Sequence, residues 1–420
     1  MAVESSTLPS GLRVVTDEMS GLETASLSVT FGAGSRHESD DEQGLSHLLE
    51  HMAFKGTRRR DARAIAEAIE SAGGDLNAAT STETTTYYAR VLREDCGLAL
   101  EVLADILTDS LFDPAELRRE KDVVLQEIAA QQDAPEDMVY DLFNAAAFPG
   151  QPIGRAILGT PKSVKKFSHQ SIEAYLGRHY GAAGCVISAA GAVDHAHIRD
   201  EADSLFAALP ASTPVAPQKA EYVGGESIVG KKLEQTQIVV GFAGLSYDHS
   251  DHYAAHIFAN AVGGGMASRL FQEVRETRGL AYNISTFHWS FLDAGLFGFE
   301  AGAAGKDVRA VIDVSLDVLA KAALGLADAD MARAKAQTKV GLLTALESSS
   351  ARAEQIARQT MIFGRVLDRR EMIERIDRLS LEEVRAAGRN MLRTPPTLAI
   401  LGAVKQAPGV ADIATVFAGL

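Results

Sequence analysis

The sequence GLSHLLEHMAFKGT, residues 44–57, contains the pattern H-x-x-E-H between His47 and His51. Its apolar residues recur at helical spacing and a glycine follows them, which predicts a short helix. Residues four apart share one face of a helix, so His47 and His51 project together and Glu50 lies beside them. Two neutral imidazoles in this arrangement can bind zinc, and a carboxylate that is not itself a ligand can take a proton from zinc-bound water. The pattern therefore indicates metallopeptidase chemistry.

A catalytic zinc site needs a third protein ligand, and a second predicted helix offers two carboxylates. This helix has Asp113 as its N-cap and Pro114 at its first position. Glu120 and Glu127 are seven residues apart, two turns along one face, so one could bind the metal while the other holds a ligand by a hydrogen bond. The alternative is that the acids lie on an ordinary solvated face and that both histidines are hydrogen-bonded in a buried helix.

The two patterns together are more specific than either alone. H-x-x-E-H followed by E-x6-E, whose second member lies 76 residues after His51, resembles the pitrilysin-like (M16) zinc peptidases. The chain is most similar to the M16B class, which includes the β subunit of the mitochondrial processing peptidase and its bacterial relatives. The resemblance implies one Zn2+ per chain bound by His47, His51 and Glu127, with Glu50 as general base and Glu120 as supporting carboxylate.

Length and composition set the broad class of the protein. A chain of 420 residues is too long for one ordinary core and predicts two or more domains. The formal charge of −15 argues against nucleic-acid binding and favours basic partners. Cys96 and Cys185 lack metal or redox spacing, and we expect both to be buried and reduced. No leader peptide or membrane span is visible, so we expect a soluble cytoplasmic protein, or a matrix protein if the chain is a processed mitochondrial one.

Hydrophobic periodicity predicts an α+β fold. Strands at 12–15 and 25–31 precede the motif helix; a helix at 62–72 and two strands at 75–81 and 84–91 follow it. Later elements are helices at 95–109, 114–132, 170–179 and 194–208, with a strand at 185–189. In the family, the strand after the motif region is a sheet edge to which an extended peptide adds. The resemblance therefore implies that Asn77 and Ala78 contact the substrate.

A further helix, beginning at Pro135, has Asp137 and Asp141 on one face. Like charges at this spacing repel mildly, so they need solvent or a cation to face. They resemble the acidic residues with which processing peptidases receive an arginine near the cleavage site. A plain solvated face is the alternative.

A linker rich in proline, residues 210–219, divides the chain into predicted domains 1–212 and 213–420. The second half repeats the first in its order of strands and helices, but the metal-binding residues are missing, and His256 is then a structural relic. The resemblance implies a LuxS/metallohydrolase-like M16 fold, with a mainly antiparallel or mixed sheet covered by helices in each half. The resemblance also implies that the first half is the catalytic domain and that the second is noncatalytic.

The second half also contains R-x6-Y, formed by Arg275 and Tyr282, in a helix ended by Gly279 and the strand that follows. Glycines before that helix lack dinucleotide or Walker spacing, which excludes a phosphate site of either kind. The resemblance implies that Arg275 and Tyr282 reach the substrate carbonyl and stabilise the transition state.

Taken together, these patterns predict a zinc metalloendopeptidase that cleaves extended peptides or unfolded N-terminal segments inside a dimer chamber. Two alternatives are a general oligopeptide scavenger and a noncatalytic core subunit of a larger complex. Family members of this length work as dimers, so the resemblance implies a homodimer or a pair with a sister subunit. Natural substrate and cleavage position are not specified by the sequence.

Overall fold

The computed structural model describes residues 3–212, 215–405 and 407–420; residues 1 and 2, and residues 213 and 214 at the predicted domain boundary, lie outside the described residues. The predicted α+β class is confirmed, because the described chain forms two mixed sheets covered by helices. The strands are β1 Val3–Thr7, β2 Arg13–Glu18, β3 Thr24–Phe31, β4 Asp75–Thr80, β5 Thr85–Leu92, β6 Cys185–Gly191, β7 Gly225–Gly230, β8 Thr236–Ala243, β9 Ala281–Ser290, β10 Gly295–Ala303 and β11 Thr397–Gly402.

Fifteen α-helices are assigned among the described residues. They are α1 Leu45–Ala53, α2 Ala62–Glu70, α3 Cys96–Thr108, α4 Pro114–Gln132, α5 Pro135–Ala147, α6 Pro161–Lys166, α7 His169–His179, α8 His195–Leu205, α9 His252–Gly263, α10 Val308–Gly325, α11 Asp328–Ala345, α12 Ser349–Phe363, α13 Arg369–Arg378, α14 Leu381–Leu392 and α15 Val410–Phe417. The predicted helices and strands of the first half are confirmed to within a few residues. The helix predicted before Gly279 is instead a π-helix, Phe271–Thr277.

Each sheet contains a single parallel pair of strands. The first has six strands in the order β1-β2-β6-β3-β5-β4, with β2 parallel to β6. The second has five strands in the order β7-β11-β8-β10-β9, with β11 parallel to β7. Strand β4 is therefore at an edge of the first sheet, paired with β5 alone in the described structure.

The motif helix α1 is oriented by its apolar face. Leu48, Leu49 and Met52 are buried in the core of the first sheet, which also contains Val29 and Phe31 of β3. Burying three large apolar side chains stabilises the helix by several kcal/mol, at about 1.5–3 kcal/mol each. Because this face points inward, the face that bears the histidines points away from the core.

The chain forms two compact units that do not coincide with the predicted halves 1–212 and 213–420. The first comprises Met1–Ala130, Arg155–Gln218 and Leu343–Val366; the second comprises Gln131–Gly154, Lys219–Leu342 and Leu367–Leu420. Helix α5 belongs to the second unit because Val139 and Phe143 pack with Val239 of the second sheet. Helix α12 belongs to the first unit because Ile356 packs with residues of β2 and β6. Sequence order cannot show such exchanges, since an amphipathic pattern does not specify the sheet on which a helix packs.

No helix among the described residues is both long and apolar enough to cross a membrane.

Candidate metal centre

Helix α1 presents two imidazoles and a carboxylate on one face. The rings of His47 and His51 lie with their centroids 4.7 Å apart and their planes at 65°. Burial, and then the neighbouring His51, lower the pKa of His47 to about 4. His47 is therefore neutral at neutral pH, and this is the form of imidazole that binds metal ions.

The N-terminus of α1 is held by Glu38, a buried residue that sequence reasoning missed. Its carboxylate accepts hydrogen bonds from the backbone N–H groups of Gly44 (2.8 Å) and Ser46 (2.7 Å), and from the Ser46 hydroxyl (2.6 Å). The α1 N-cap, Gly44, has no side chain to accept these bonds, so Glu38 takes the place of a capping residue. Burial raises the pKa of Glu38 to about 7, although these hydrogen bonds act in the opposite direction.

The third member of the cluster comes from α4. Oε2 of Glu127 lies 3.7 Å from Nε2 of His47 and 3.6 Å from Nε2 of His51. These distances are too long for hydrogen bonds, but they are close to the separation of neighbouring ligands on a tetrahedral ion with bonds of about 2.0–2.2 Å. Oε2 of Glu127 is buried and has no hydrogen-bond partner in the described structure. The three residues thus converge on a space that lacks a cation to satisfy them.

This cluster is the only one of its kind in the part of the chain that the structure describes. No other set of three or more His, Cys, Asp or Glu side chains there brings its ligand atoms within 4.8 Å of one another. A set of two imidazoles and one carboxylate leaves a fourth position open, which is the ligand set of a catalytic rather than a structural zinc site.

Glu120 lies beside His51 rather than among the three converging atoms. Its Oε2 accepts a hydrogen bond of 3.1 Å from Nδ1 of His51, and its Oε1 contacts the Lys55 ammonium at 2.8 Å. Because a carboxylate can only accept, Nδ1 of His51 carries the proton and Nε2 keeps its lone pair toward Glu127. Lys55, four residues after His51, was another contact that the sequence pattern did not single out.

Glu50 lies on the same face of α1 and contacts the edge strand of the sheet. Its Oε2 accepts a hydrogen bond of 2.5 Å from the hydroxyl of Thr80, the last residue of β4. Asn77 of the same strand is exposed, and its side-chain oxygen accepts a hydrogen bond of 2.8 Å from the N–H of Ala78. The C-terminal end of the edge strand β4 therefore lies beside Glu50, the carboxylate that the sequence predicts to be the general base.

The other predicted site residues belong to the second compact unit. Asp137 and Asp141 lie on α5, and burial, followed by the charge of Asp137, raises the pKa of Asp141 to about 6. Arg275 contacts two aromatic rings, with its guanidinium carbon 4.6 Å from the centroid of Phe271 and 5.0 Å from that of Tyr282. The predicted pair Arg275 and Tyr282 is thus in direct contact, as a cation–π pair.

His256 lies in a group of three neighbouring histidines that includes His252 and His288. The ring centroids of His252 and His288 are 5.5 Å apart, and those of His256 and His288 are 6.3 Å apart. Burial lowers the pKa of each imidazole. In the described structure, the ring nitrogens of these three histidines do not all come within 4.8 Å of one another, whereas the ligand atoms of His47, His51 and Glu127 do. That His256 is a structural relic stays a prediction.

Two sequence profiles of one peptidase family match most of this chain. The sequence profile of insulinase (peptidase family M16) matches residues 13–161, and that of the peptidase M16 inactive domain matches residues 166–338. A Rickettsia felis protein named as an uncharacterized zinc protease is 36% identical over 398 residues, 94% of this chain and 97% of that protein. A probable mitochondrial-processing peptidase subunit beta from Arabidopsis thaliana is 37% identical over 418 residues, 96% of this chain and 78% of that protein.

Solved structures show the same fold at lower identity. A peptidase M16 inactive domain from Pseudomonas fluorescens superposes with a TM-score of 0.90 at 22% identity, over 97% of this chain and 100% of that one. A chain of complex III2 from Candida albicans superposes with a TM-score of 0.86 at 23% identity, over 99% of this chain and 100% of that one.

Proposed function

Because this chain belongs to the M16 family of zinc proteases, we propose that it is a zinc-dependent endopeptidase that cleaves extended peptides. The observation that supports this most directly is the buried, unpartnered Oε2 of Glu127 between two imidazole nitrogens. Burying a carboxylate oxygen without a partner costs free energy, and a bound cation would remove that cost.

His47, His51 and Glu127 would hold one zinc ion. When bound, zinc supplies Lewis acidity toward a carbonyl oxygen and lowers the pKa of a water molecule from about 16 to about 7. Glu120 keeps His51 in the tautomer that leaves Nε2 free, and its second oxygen is fixed by Lys55. Such supporting carboxylates orient a ligand and raise its basicity.

Glu50 acts as the general base and then as the general acid. Its carboxylate takes a proton from the attacking water as the new C–O bond forms at the scissile carbonyl, and it returns that proton to the amine nitrogen as the C–N bond breaks. The Thr80 hydroxyl occupies Oε2, which leaves Oε1 of Glu50 to hold the proton.

The edge strand β4 binds the peptide through its backbone. An extended peptide adds as a further strand there, and such pairing is tolerant of sequence because main-chain hydrogen bonds supply the affinity. Asn77 and Ala78 are the contact residues in this proposal, and the internal bond between them opens when the peptide pairs.

Four further residues have proposed roles toward the substrate. Arg275 and Tyr282 are proposed to stabilise the developing oxyanion, and Asp137 and Asp141 to receive a basic residue near the cleavage site. One relative is named as a beta subunit, and we propose that this chain works as a homodimer or with a sister chain.

The test is a single substitution that leaves the ligands in place. We expect Glu50→Gln to retain about one zinc per chain while peptide cleavage falls at least about 100-fold, because general base catalysis contributes 10²–10⁴-fold. Cleavage of quenched fluorescent peptides and metal content by mass spectrometry give the two readouts. Glu70→Gln, at an exposed acid on α2, is the matched control and should behave as the parent chain. Undiminished cleavage by pure Glu50→Gln would refute the assignment.

A further inference from the structure

The segment of residues 34–38 lies between β3 and the motif helix α1, and it contacts two elements that the proposed reaction must bring together. Its sequence is GSRHE, and its middle three residues form a 3-10 helix, Ser35–His37. One end contacts the turn of residues 81–84, which follows the edge strand β4. The other end is Glu38, which holds the first turn of α1. All of these residues belong to the first compact unit.

The backbone of the segment makes the first contact with the turn. The N–H of Ser35 donates a hydrogen bond of 3.2 Å to the backbone oxygen of Ser81. The N–H of Arg36 donates one of 2.9 Å to that of Thr82. A Cβ on Gly34 would lie 2.2 Å from the backbone oxygen of Ser81, whereas an ordinary contact of a Cβ is 3.4–4 Å. The segment can therefore approach the turn this closely only because residue 34 is glycine.

The side chain of Arg36 makes a second contact with the same turn. It is only 1% exposed, and Nη1 of its guanidinium pairs with the carboxylate of Glu83 at 2.5 Å. Its Nη2 donates a hydrogen bond of 2.8 Å to the backbone oxygen of Gln218. Breaking a buried ion pair is strongly destabilising because it leaves a charge without its partner. The position of the turn is therefore tied to that of the segment.

The segment is also held together internally and joined to α1. The N–H of His37 donates to the backbone oxygen of Gly34 at 2.9 Å, and the N–H of Gly34 donates to Nδ1 of His37 at 3.1 Å. Glu38 is 2% exposed, and its carboxylate accepts three hydrogen bonds from Gly44 and Ser46. Since Ser46 directly precedes His47, a displacement of the segment would be transmitted to the ligand-bearing helix.

We propose that the 34–38 segment sets the distance between the edge strand β4 and the motif helix α1, with Arg36 and Glu38 as its positioning residues. In the described structure β4 pairs with β5 alone, so the end of β4 depends on contacts of this kind. The hydrogen bond between Thr80 and Glu50 depends on the same distance.

This inference rests on the proposed function in one respect: a peptide bound along β4 must present its carbonyl to the zinc ligands and the base on α1. Reacting atoms must come within about 3–3.5 Å of each other, and a displacement of about 1 Å can cost about 100-fold in rate. The distance between β4 and α1 therefore matters more for turnover than for the binding of zinc, whose ligands all lie on α1 and α4.

The first experiment measures the strand in the metal-free chain, without catalysis. Gly34→Ala places a methyl group against the turn, and we expect the turn to move rather than α1, because α1 is also fixed by its buried apolar face. Amide hydrogen exchange of residues 77–84 should become at least about tenfold faster. Gly177→Ala, on α7, is the control, because nothing lies within 4 Å of its new Cβ. Exchange of residues 77–84 at the parental rate in Gly34→Ala would overturn the proposal.

Arg36→Lys tests the same contact if Gly34→Ala does not fold. Lysine keeps the charge but lacks the planar fork that reaches Glu83 and Gln218 from two nitrogens. We expect exchange of residues 77–84 to become at least about threefold faster. Arg93→Lys makes the same change at an exposed residue and should have no effect. Equal exchange in Arg36→Lys and Arg93→Lys would contradict the role of Arg36.

The two ends of the segment should affect different measurements. We expect Gly34→Ala to lower kcat for a quenched fluorescent peptide at least about tenfold, while zinc affinity by chelator competition stays within about threefold of the parent chain. Glu38→Gln disturbs the first turn of α1 and should lower zinc affinity about tenfold. Asp41→Asn, at an exposed acid nearby, is its control.

A general loss of stability would not separate kcat from zinc affinity in this way. Parental kcat in Gly34→Ala, or parental zinc affinity in Glu38→Gln, would refute the proposal. If the parent chain cleaves no peptide, the proposed function fails, whereas hydrogen exchange and zinc affinity still decide whether the 34–38 segment positions β4 and α1.

Discussion

At the scale of single residues, the chemistry depends on which oxygen or nitrogen is left without a protein partner. Glu120 and Glu127 are both glutamates on one face of α4, yet Glu120 is engaged by His51 and Lys55, whereas Oε2 of Glu127 has no partner among the described residues. The two glutamates are separated by two helical turns. Glu120 therefore reaches Nδ1 of His51, whereas Glu127 lies near the Nε2 atoms of both His47 and His51. Identical side chains therefore have different roles.

We expect Glu127→Gln to lower zinc affinity at least about 100-fold, because an amide oxygen replaces a charged ligand. Glu120→Gln should lower it about 10–100-fold, the usual effect of removing a supporting carboxylate. Zinc competition with a chromogenic chelator measures both. Glu116→Gln, one turn before Glu120 on the same helix, is the control, and an affinity loss there equal to that of Glu127→Gln would contradict the ligand assignment.

At the scale of elements, the position of α1 is determined at its first turn. Gly44 has φ of +89°, and a Cβ at this residue would lie 2.4 Å from the backbone oxygen of Leu158. Glu38 accepts hydrogen bonds from the N–H groups of Gly44 and Ser46, and Ser46 directly precedes His47. The imidazole positions therefore depend on two contacts outside the motif itself.

We expect Gly44→Ala to lower the free energy of unfolding by about 3 kcal/mol or more, because it combines a left-handed backbone with a backbone clash. Gly73→Ala has a similar φ of +70° and nothing within 4 Å of the new Cβ, so it should cost about 1–2 kcal/mol. Urea unfolding of both variants separates the free-energy cost of the clash with Leu158 from that of the left-handed backbone conformation. Zinc affinity is a second readout. Equal losses in the two variants would show that the contact with Leu158 has no effect.

At the scale of the whole molecule, two separate cores each have their own sheet, and each compact unit includes a helix from the other half of the sequence. Both units contain partly or fully buried imidazoles outside the metal cluster whose pKa is lowered to about 3 or 4. These are His37, His179, His252 and His288. Burial is the largest cause in every case, since a charged ring is poorly solvated there.

This arrangement predicts that the metal-free chain loses stability as the pH falls from about 6.5 to about 4. The folded pKa of the four imidazoles lies below their ordinary value of 6.5, so in this window the unfolded chain binds more protons. Glu38 and Asp141, with pKa values raised to about 7 and about 6, act in the opposite direction and offset part of the effect. Because the pKa of His47 is also lowered to about 4 in the metal-free chain, we expect a net uptake of about three protons on unfolding near pH 5. Urea unfolding at pH 7, 6 and 5 measures this, and a midpoint that rises on acidification would contradict it.

The sequence by itself determined the local structure: the motif helix, the two histidines on one face, and most helices and strands of the first half. These features follow from periodicity and capping, which are written in neighbouring residues. The tertiary structure alone decided that Glu38 holds α1, that Thr80 contacts Glu50, and that α5 and α12 belong to units other than predicted. It also decided that Gln237 of β8 and Glu300 of β10 line one pocket. Such contacts join residues that are from six to more than sixty positions apart. Which of them form depends on which surfaces pack together, and the spacing of neighbouring residues does not contain that information.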